Sequence, residues 1–193
     1  EMMKKSYDIL SNHPINVERM KKGLNPANSL WFWGAGTRPM LTSFEEKTGH
    51  KGAMISAVDL LKGIAVGAGM KVIEVEGANG GLDTNYEGKA DAAVDVLLNG
   101  GCDFAYIHLE APDEMGHQGS YERKVKAIEN LDKRIIKRVV EKMEAAGEDF
   151  RMLVLPDHPT PVAIRTHVSD PVPYMLYDLS LIHISEPTRR TPI

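Results

Sequence analysis

The sequence predicts a layered α/β/α fold around a mostly parallel β-sheet, and two observations support this prediction. Short apolar runs typical of strands alternate with longer stretches in which apolar residues recur every three or four positions, as in amphipathic helices. Chemically reactive side chains follow directly after two of the apolar runs, where open α/β sheets place their ligands. Alternating strands and helices with reactive strand ends are typical of a layered α/β domain.

The elements can be assigned along the chain in order. Strands are predicted at residues 29–33, 52–57, 71–75, 103–109, 151–155 and 173–177. Helices are predicted over residues 58–68, 86–98 and 120–146, after a helical opening. The last of these helices has the clearest periodicity, and Gly147 is expected to end it. The segment Arg151–Leu155 is nearly all apolar, which predicts a central strand covered on both faces.

Composition narrows the function classes. A net charge of −4 gives no electrostatic reason to expect nucleic acid or an anionic membrane as a partner. No apolar run reaches the length needed to cross a bilayer, so no membrane span is expected. The single cysteine, Cys102, rules out an internal disulfide and fits a reducing compartment. We therefore expect a cytoplasmic globular protein.

Three segments carry side chains that are typical of metal ligands. Asp113 and His117 follow the strand ending at Leu109 and are four residues apart, so one helical turn would place them on the same side. Asp157 and His158 follow the strand ending at Leu155, and His167 comes nine residues later.

Each of these motifs alone is typical of a surface pair or a turn, whereas their convergence at neighbouring strand ends indicates a metal site. A mixed set of carboxylates and imidazoles suits Zn²⁺, Mn²⁺ or a similar divalent ion, because Ca²⁺ prefers oxygen ligands alone. His108 alternates with Phe104 and Tyr106 in a strand, which favours a packed histidine over a ligand.

The wording of these motifs resembles a known family. The segments Ala111-Pro-Asp-Glu-Met-Gly-His117, Leu155-Pro-Asp-His-Pro-Thr-Pro161 and Thr166-His-Val-Ser-Asp-Pro-Val-Pro173 are similar to the metal motifs of the alkaline phosphatase superfamily. Together with Trp31–Gly36, Ile55–Gly63 and Gly81–Lys89, they resemble the archaeal-type cofactor-independent phosphoglycerate mutases over residues 24 to 178. The resemblance implies an alkaline-phosphatase-like fold, incomplete in this chain.

The resemblance also implies two divalent metal ions, with Mn²⁺ or Mg²⁺ favoured and Co²⁺ or Zn²⁺ as alternatives. Asp113, His117 and His167 would bind one ion, and Asp157 and His158 the other. The family completes the second set with an aspartate and a nucleophilic serine, and no segment of this chain matches the part that carries them.

The implied activity is phosphate transfer between the 3- and 2-hydroxyls of glycerate through a phosphoserine, with phosphoglycerate as substrate. Lys62 resembles the family's catalytic lysine, although a solvated helix lysine is an equal alternative. Gly34, Gly36 and Arg38 follow a predicted strand and could offer backbone N–H groups and a guanidinium to phosphate or carboxylate.

The sequence divides into three regions under this interpretation. Residues 1–22 would be the end of the family's inserted clamp domain or a linker helix, and residues 23–178 the C-terminal part of the phosphatase-like domain. Residues 179–193 resemble a translated sequencing adapter, for which we expect no fixed place in the fold. The chain by itself is expected to be inactive as a mutase.

Two other functions stay open at this point. A phosphatase or another phosphomutase of the same superfamily would keep the metals and change the reaction. A metal-binding fragment without turnover would keep the ligands alone. The oligomeric state is not predicted by any of these patterns.

Overall fold

The computed structural model describes residues 1–32, 34, 36–37 and 39–179. Within the chain, contacts separate two compact units, residues 1–39 and residues 40–193. The predicted region boundary between residues 22 and 23 therefore falls inside the first unit, and most of the predicted tail, residues 180–193, lies outside the described residues.

The first unit contains two short helices, α1 (Met2–Ser11) and α2 (Pro14–Lys21). Proline at the first position of α2 suits a helix start, because an N–H at that position would have no hydrogen-bond partner within the helix and proline has none. The amide of Asn16, which is 4% exposed, donates to the carbonyls of Leu10 at 2.7 Å and Ala27 at 3.0 Å. Asn16 thus ties the segment after α2 back onto the helices.

The strand predicted at residues 29–33 is not formed over the four of its residues that are described, 29–32. Residues 29–32 have no regular secondary structure, and Trp33 lies outside the described part of the chain. Trp31 is 77% exposed and Phe32 is 54% exposed. An apolar run becomes a strand only where another strand pairs with it, and no described strand pairs with this one.

The second unit has the alternation of strands and helices that the sequence predicts. Its elements are α3 (Phe44–Thr48), β1 (Gly52–Ile55), α4 (Asp59–Gly67), β2 (Lys71–Val72), α5 (Tyr86–Leu98), β3 (Phe104–Ile107), α6 (Ala111–His117), α7 (Tyr121–Leu131), a π-helical turn (Asp132–Ile136), α8 (Lys137–Ala146), β4 (Arg151–Val154) and β5 (Met175–Asp178). The mixed α/β class is confirmed, and the predicted long helix is present as α7 and α8 joined by the π-helical turn.

The main sheet has three parallel strands in the order β2–β1–β3. Because parallel crossovers are right-handed, this order is expected to place α4 and α5 on opposite faces of the sheet. All four residues of β1 are buried, as a central strand covered on both faces requires. The strand order reverses at β1, so the carboxyl ends of β1 and β3 flank the position where such sheets bind ligands.

The expectation that Arg151–Leu155 is a central strand of the same sheet is wrong. Among the described strands β4 pairs with β5 alone, in a separate antiparallel sheet, and Leu153 is 57% exposed. Apolar composition reports how much surface a strand can bury, but a neighbour must be present to cover it. Within the described residues β4 has that neighbour on one side only.

The largest core cluster joins α5 to the long helix. It consists of Tyr86, Ala90, Val94, Ile135, Val139 and Met143, with Met152 of β4 packed against it. At its rim, Arg138 donates two hydrogen bonds to Asp91 at 2.6 and 2.8 Å, and these hold the pKa of Asp91 at about 2. None of the described helices combines the length and apolar content needed to cross a membrane.

Candidate metal centre

Asp113 and His117 lie on α6, the helix that follows β3 after a connection of three residues. Pro112 sits in the first turn of α6, where its missing N–H costs nothing. The i, i+4 spacing sets the two side chains on one face, with His117 Nε2 3.3 Å from Asp113 Oδ2. The local structure therefore matches the arrangement predicted from the spacing.

His167 reaches the same point from the loop that follows β4. The backbone N–H of Arg165 donates a hydrogen bond to the carbonyl oxygen of Pro161 at 2.9 Å and closes a turn. Arg165 itself has a left-handed backbone conformation, with φ of 54°. His167 Nε2 lies 3.2 Å from Asp113 Oδ1 and 3.1 Å from His117 Nε2. The loop thus brings a second imidazole onto the carboxylate of α6.

The hydrogen bond between His117 and the loop determines which ring nitrogen of His117 is left to bind an ion. His117 Nδ1 lies 2.9 Å from the carbonyl oxygen of Arg165. A carbonyl only accepts, so the proton of a neutral ring sits on Nδ1 and the Nε2 lone pair faces His167 and Asp113. Donation of the second ring N–H to a carbonyl is the usual way in which a metal-binding histidine is oriented.

These three residues fit a divalent ion. Asp113, His117 and His167 each offer one ligand atom within 4.8 Å of the others. Bonds of about 2.0–2.2 Å separate adjacent ligand atoms by about 2.8–3.6 Å in octahedral or tetrahedral coordination, a range that contains the 3.1–3.3 Å separations found here. Facing lone pairs repel unless a proton or a cation lies between them, and a cation would satisfy all of them together.

Asp157 and His158 form a second pair beside the first set. The backbone N–H of His158 donates to Asp157 Oδ1 at 3.0 Å, and His158 Nε2 lies 3.4 Å from Asp157 Oδ2. The ring of His158 lies against that of His167, with centroids 3.7 Å apart and the ring planes tilted by 34°. The five predicted ligands therefore converge, although the strands that precede them, β3 and β4, belong to two sheets rather than one.

A glycine permits this convergence. A Cβ on Gly116 would lie 2.5 Å from the carbonyl oxygen of Thr160 and 3.1 Å from Lys124 Nζ. Lys124 donates to the same Thr160 carbonyl at 2.6 Å. The loop after β4 thus lies directly on α6, at a distance that only glycine allows.

Thr160 is a residue whose role sequence reasoning missed. It is 2% exposed, and its hydroxyl donates to Asp113 Oδ1 and lies 3.3 Å from His158 Nδ1. It stands in the motif Leu155-Pro-Asp-His-Pro-Thr-Pro161, but nothing in that pattern says which way a threonine side chain points.

His108 follows β3 directly, at the carboxyl end of that strand. Its Nδ1 is 3.3 Å from the hydroxyl of Ser56, which follows β1. Burial lowers the pKa of His108, the carboxylate of Asp157 raises it, Lys89 lowers it again and Asp113 raises it. The packed role predicted for His108 agrees with this half-buried position.

Lys89 is a buried cation next to the site. It is 1% exposed, and its Nζ donates to the carbonyls of His108 at 3.3 Å and Asn79 at 3.4 Å. Burial lowers the pKa of Lys89, while Glu110 raises it. Lys89 therefore fixes the strand end from which the segment leading to α6 departs.

The structure says less about the roles of the other predicted site residues. Lys62 of α4 forms an ion pair with Glu74, at 2.8 Å, rather than with any candidate ligand. Gly34 and Gly36 are exposed residues of the first unit, and a Cβ on either would meet no atom within 4 Å. Arg38 lies outside the described residues. The substrate-binding and catalytic roles of these four residues stay predictions.

Known proteins are similar to this chain in sequence or in fold. A 2,3-bisphosphoglycerate-independent phosphoglycerate mutase from Methanosarcina barkeri is 54% identical over 177 residues, which cover 92% of this chain and 44% of that protein. A solved protein structure from Pyrococcus horikoshii is 34% identical, with a TM-score of 0.78, over 91% of this chain and 45% of that one. The structure of a cofactor-independent phosphoglycerate mutase from Thermoplasma acidophilum is 30% identical, with a TM-score of 0.55, over 93% of this chain and 41% of that one.

The chain spans less than half the length of these relatives, and within that span it carries their α/β fold. The sequence profile of the metalloenzyme superfamily matches residues 9–191, which include all five candidate ligands. Together with the Asp113, His117 and His167 cluster, that match indicates metal use. The chain is a member of the metalloenzyme superfamily.

Proposed function

We propose that this chain supplies metal-binding residues of a 2,3-bisphosphoglycerate-independent phosphoglycerate mutase, which interconverts 3-phosphoglycerate and 2-phosphoglycerate. The observation that supports this most is the meeting of two Asp/His sets at one place, in a chain 54% identical to a protein of that name. The substrate would be a small phosphorylated acid, and the protein would work in the cytoplasm.

We assign two divalent ions to the proposed site. Asp113, His117 and His167 would bind one, and Asp157 and His158 would contribute to the second. Mn²⁺ or Mg²⁺ is the preferred ion at both positions, with Co²⁺ and Zn²⁺ as alternatives. Bound ions of this kind lower the energy of charge that develops on phosphoryl and hydroxyl oxygens.

The chain's own residues have defined tasks in this proposal. The Arg165 carbonyl orients His117, and Asp113 accepts a hydrogen bond from the Thr160 hydroxyl, so both ligands are held before an ion arrives. Lys62 would place a positive charge near the reacting oxygen after exchanging Glu74 for substrate. Gly34, Gly36 and Arg38 would contact the phosphate or carboxylate of the substrate.

The test uses a protein of the relatives' length that contains this sequence. In the presence of Mn²⁺ and without bisphosphoglycerate, 3-phosphoglycerate should be converted to 2-phosphoglycerate, detected through enolase. Replacing His117 with alanine should abolish the conversion. Release of inorganic phosphate in place of 2-phosphoglycerate would instead assign a phosphatase, and overturn the mutase proposal.

A further inference from the structure

Thr160 stands between the two candidate ligand sets. Its hydroxyl donates to Asp113 Oδ1, in the first set, and lies 3.3 Å from His158 Nδ1, in the second. Its side chain is buried, whereas those of Asp113 and His158 are 30% and 29% exposed. Among the described contacts, these connect the two sets through one hydroxyl.

The proton inventory of this contact has one favourable solution. A threonine hydroxyl carries one proton and two lone pairs, and a carboxylate only accepts. The hydroxyl of Thr160 therefore donates its hydrogen bond to Asp113. A lone pair of the same oxygen is left facing His158 Nδ1. That contact is attractive only if Nδ1 carries a proton and donates to Thr160.

A proton on Nδ1 also determines the state of the other ring nitrogen of His158. A neutral imidazole with its proton on Nδ1 presents a lone pair at Nε2. His158 Nε2 lies 3.4 Å from Asp157 Oδ2, an ion-pair distance without hydrogen-bond geometry, so this carboxylate competes only weakly with Thr160 for the ring proton. The Nδ1–H tautomer is the state in which His158 can bind a divalent ion together with Asp157.

We infer that Thr160 is a positioning residue that fixes His158 in the Nδ1–H tautomer and joins the two ligand sets through its hydroxyl. Its importance for metal binding rests on the proposed function, whereas the tautomer is a property of the metal-free chain. The relay runs from His158 Nδ1–H to Thr160 Oγ1 and from Thr160 Oγ1–H to Asp113 Oδ1.

The surroundings of Thr160 keep the relay in place. The Thr160 carbonyl accepts from Lys124 Nζ at 2.6 Å, and the absence of a side chain on Gly116 lets the Thr160 backbone lie against α6. The carbonyl is held by α7 and the hydroxyl by α6, so both the backbone and the side chain of Thr160 have partners that fix their positions.

The test compares Thr160→Val with Thr160→Ser in the 193-residue chain. Valine keeps the shape of the side chain and removes the hydroxyl, whereas serine keeps the hydroxyl. The first readout is the ¹⁵N spectrum of the imidazole rings in metal-free protein, at a pH where His158 is neutral. The parent chain and Thr160→Ser should show the Nδ1–H tautomer of His158, and Thr160→Val should lose it in favour of Nε2–H.

The second readout is Mn²⁺ affinity by calorimetry. We expect Thr160→Val to bind about 10–100-fold more weakly than the parent chain, the usual cost of removing a partner that orients a ligand, and Thr160→Ser to stay close to the parent. Thr160→Ala provides a second protein without the hydroxyl if the valine variant does not fold.

The outcomes separate the two claims. If the parent chain binds no Mn²⁺, the proposed metal function fails and the tautomer alone decides the inference. If the parent binds Mn²⁺, an unchanged tautomer or an unchanged affinity in the hydroxyl-free variant overturns the inference and leaves the metal function standing.

Discussion

At the scale of single residues, one backbone angle organises the candidate centre. Arg165 has φ of 54°, a conformation that is uncommon for residues other than glycine and costs about 1–3 kcal/mol. In that conformation its carbonyl accepts from His117 Nδ1, and His167 follows two residues later. The chain bears this strain at the place where two histidines must face one carboxylate.

Metal retention tests the role of His117. His117→Ala removes one of three converging ligand atoms and should weaken Mn²⁺ binding by more than about 100-fold, beyond the loss expected for an orienting partner. His50→Ala is the matched control, because His50 is an exposed histidine whose described ion-pair contact is Asp103, at 4.0 Å. Equilibrium dialysis followed by elemental analysis measures both, and equal metal content in the two variants would remove His117 from the site.

Lys62 should behave differently from the ligands. Its described contacts are to Glu74, at 2.8 and 3.0 Å, so Lys62→Ala should leave Mn²⁺ affinity unchanged. In a protein of the relatives' length the same change should lower the rate of 2-phosphoglycerate formation, if the lysine acts on substrate. Loss of metal from the Lys62 variant would show that the lysine supports the fold of the site instead.

At this scale the sequence predicted which residues are candidate ligands, and it missed the groups that hydrogen-bond to them. Asp113, His117, Asp157, His158 and His167 carry groups whose chemistry can be recognised from residue type and spacing. The positions of the Thr160 hydroxyl and the Arg165 carbonyl depend on how the loop after β4 lies on α6. Two segments separated by more than forty residues determine that contact, and no local pattern encodes it.

At the scale of elements, the centre depends on the close approach of α6 and the loop after β4. Gly116→Ala would place a methyl group 2.5 Å from the Thr160 carbonyl oxygen, so the backbone must move. We expect a destabilisation of about 1–3 kcal/mol, as for overpacked cores, together with weaker Mn²⁺ binding.

Gly63→Ala is the control for the glycine substitution. Gly63 lies inside α4, and a Cβ there would meet no atom within 4 Å. Alanine should stabilise this helix position by about 0.5–1 kcal/mol. Urea unfolding of both variants measures the difference, and a Gly116 variant as stable as the parent would contradict the close approach.

Regular elements were predicted where local pattern is sufficient. The helix α5 has the bounds that were predicted, because an apolar stripe and the Asn85 cap lie within the segment itself. The prediction that β4 is a central strand of the main sheet was wrong, because pairing partners, and not a strand's own composition, determine which sheet it joins. The π-helical turn was not predicted, because one extra residue in a helix leaves little trace in the apolar spacing.

At the scale of the whole chain, apolar surface is exposed on the small sheet. Leu153 and Leu176 are directly paired across β4 and β5 and are 57% and 51% exposed. Such a patch on a strand surface favours self-association. Replacing both leucines with threonine should lower aggregation in light scattering and leave the melting temperature close to that of the parent, because threonine retains strand propensity.

The opposite face of β4 gives the contrast. Met152 packs against the core cluster of α5 and α8, so Met152→Thr should lower the melting temperature clearly. If the paired leucine variant aggregates as much as the parent, the exposed face of the small sheet is not the source of association.

The most direct test of the account is a calorimetric titration of the 193-residue chain with Mn²⁺, beside Asp113→Asn. Asp113 lies 3.3 Å from His117 Nε2 and 3.2 Å from His167 Nε2, and asparagine keeps its shape while removing the charge. We predict one tight ion per parent chain, with affinity that falls at lower pH because protons compete for the imidazoles, and loss of that tight site in Asp113→Asn. No binding by the parent chain, or the same tight site in both proteins, would contradict a metal centre built on Asp113, His117 and His167.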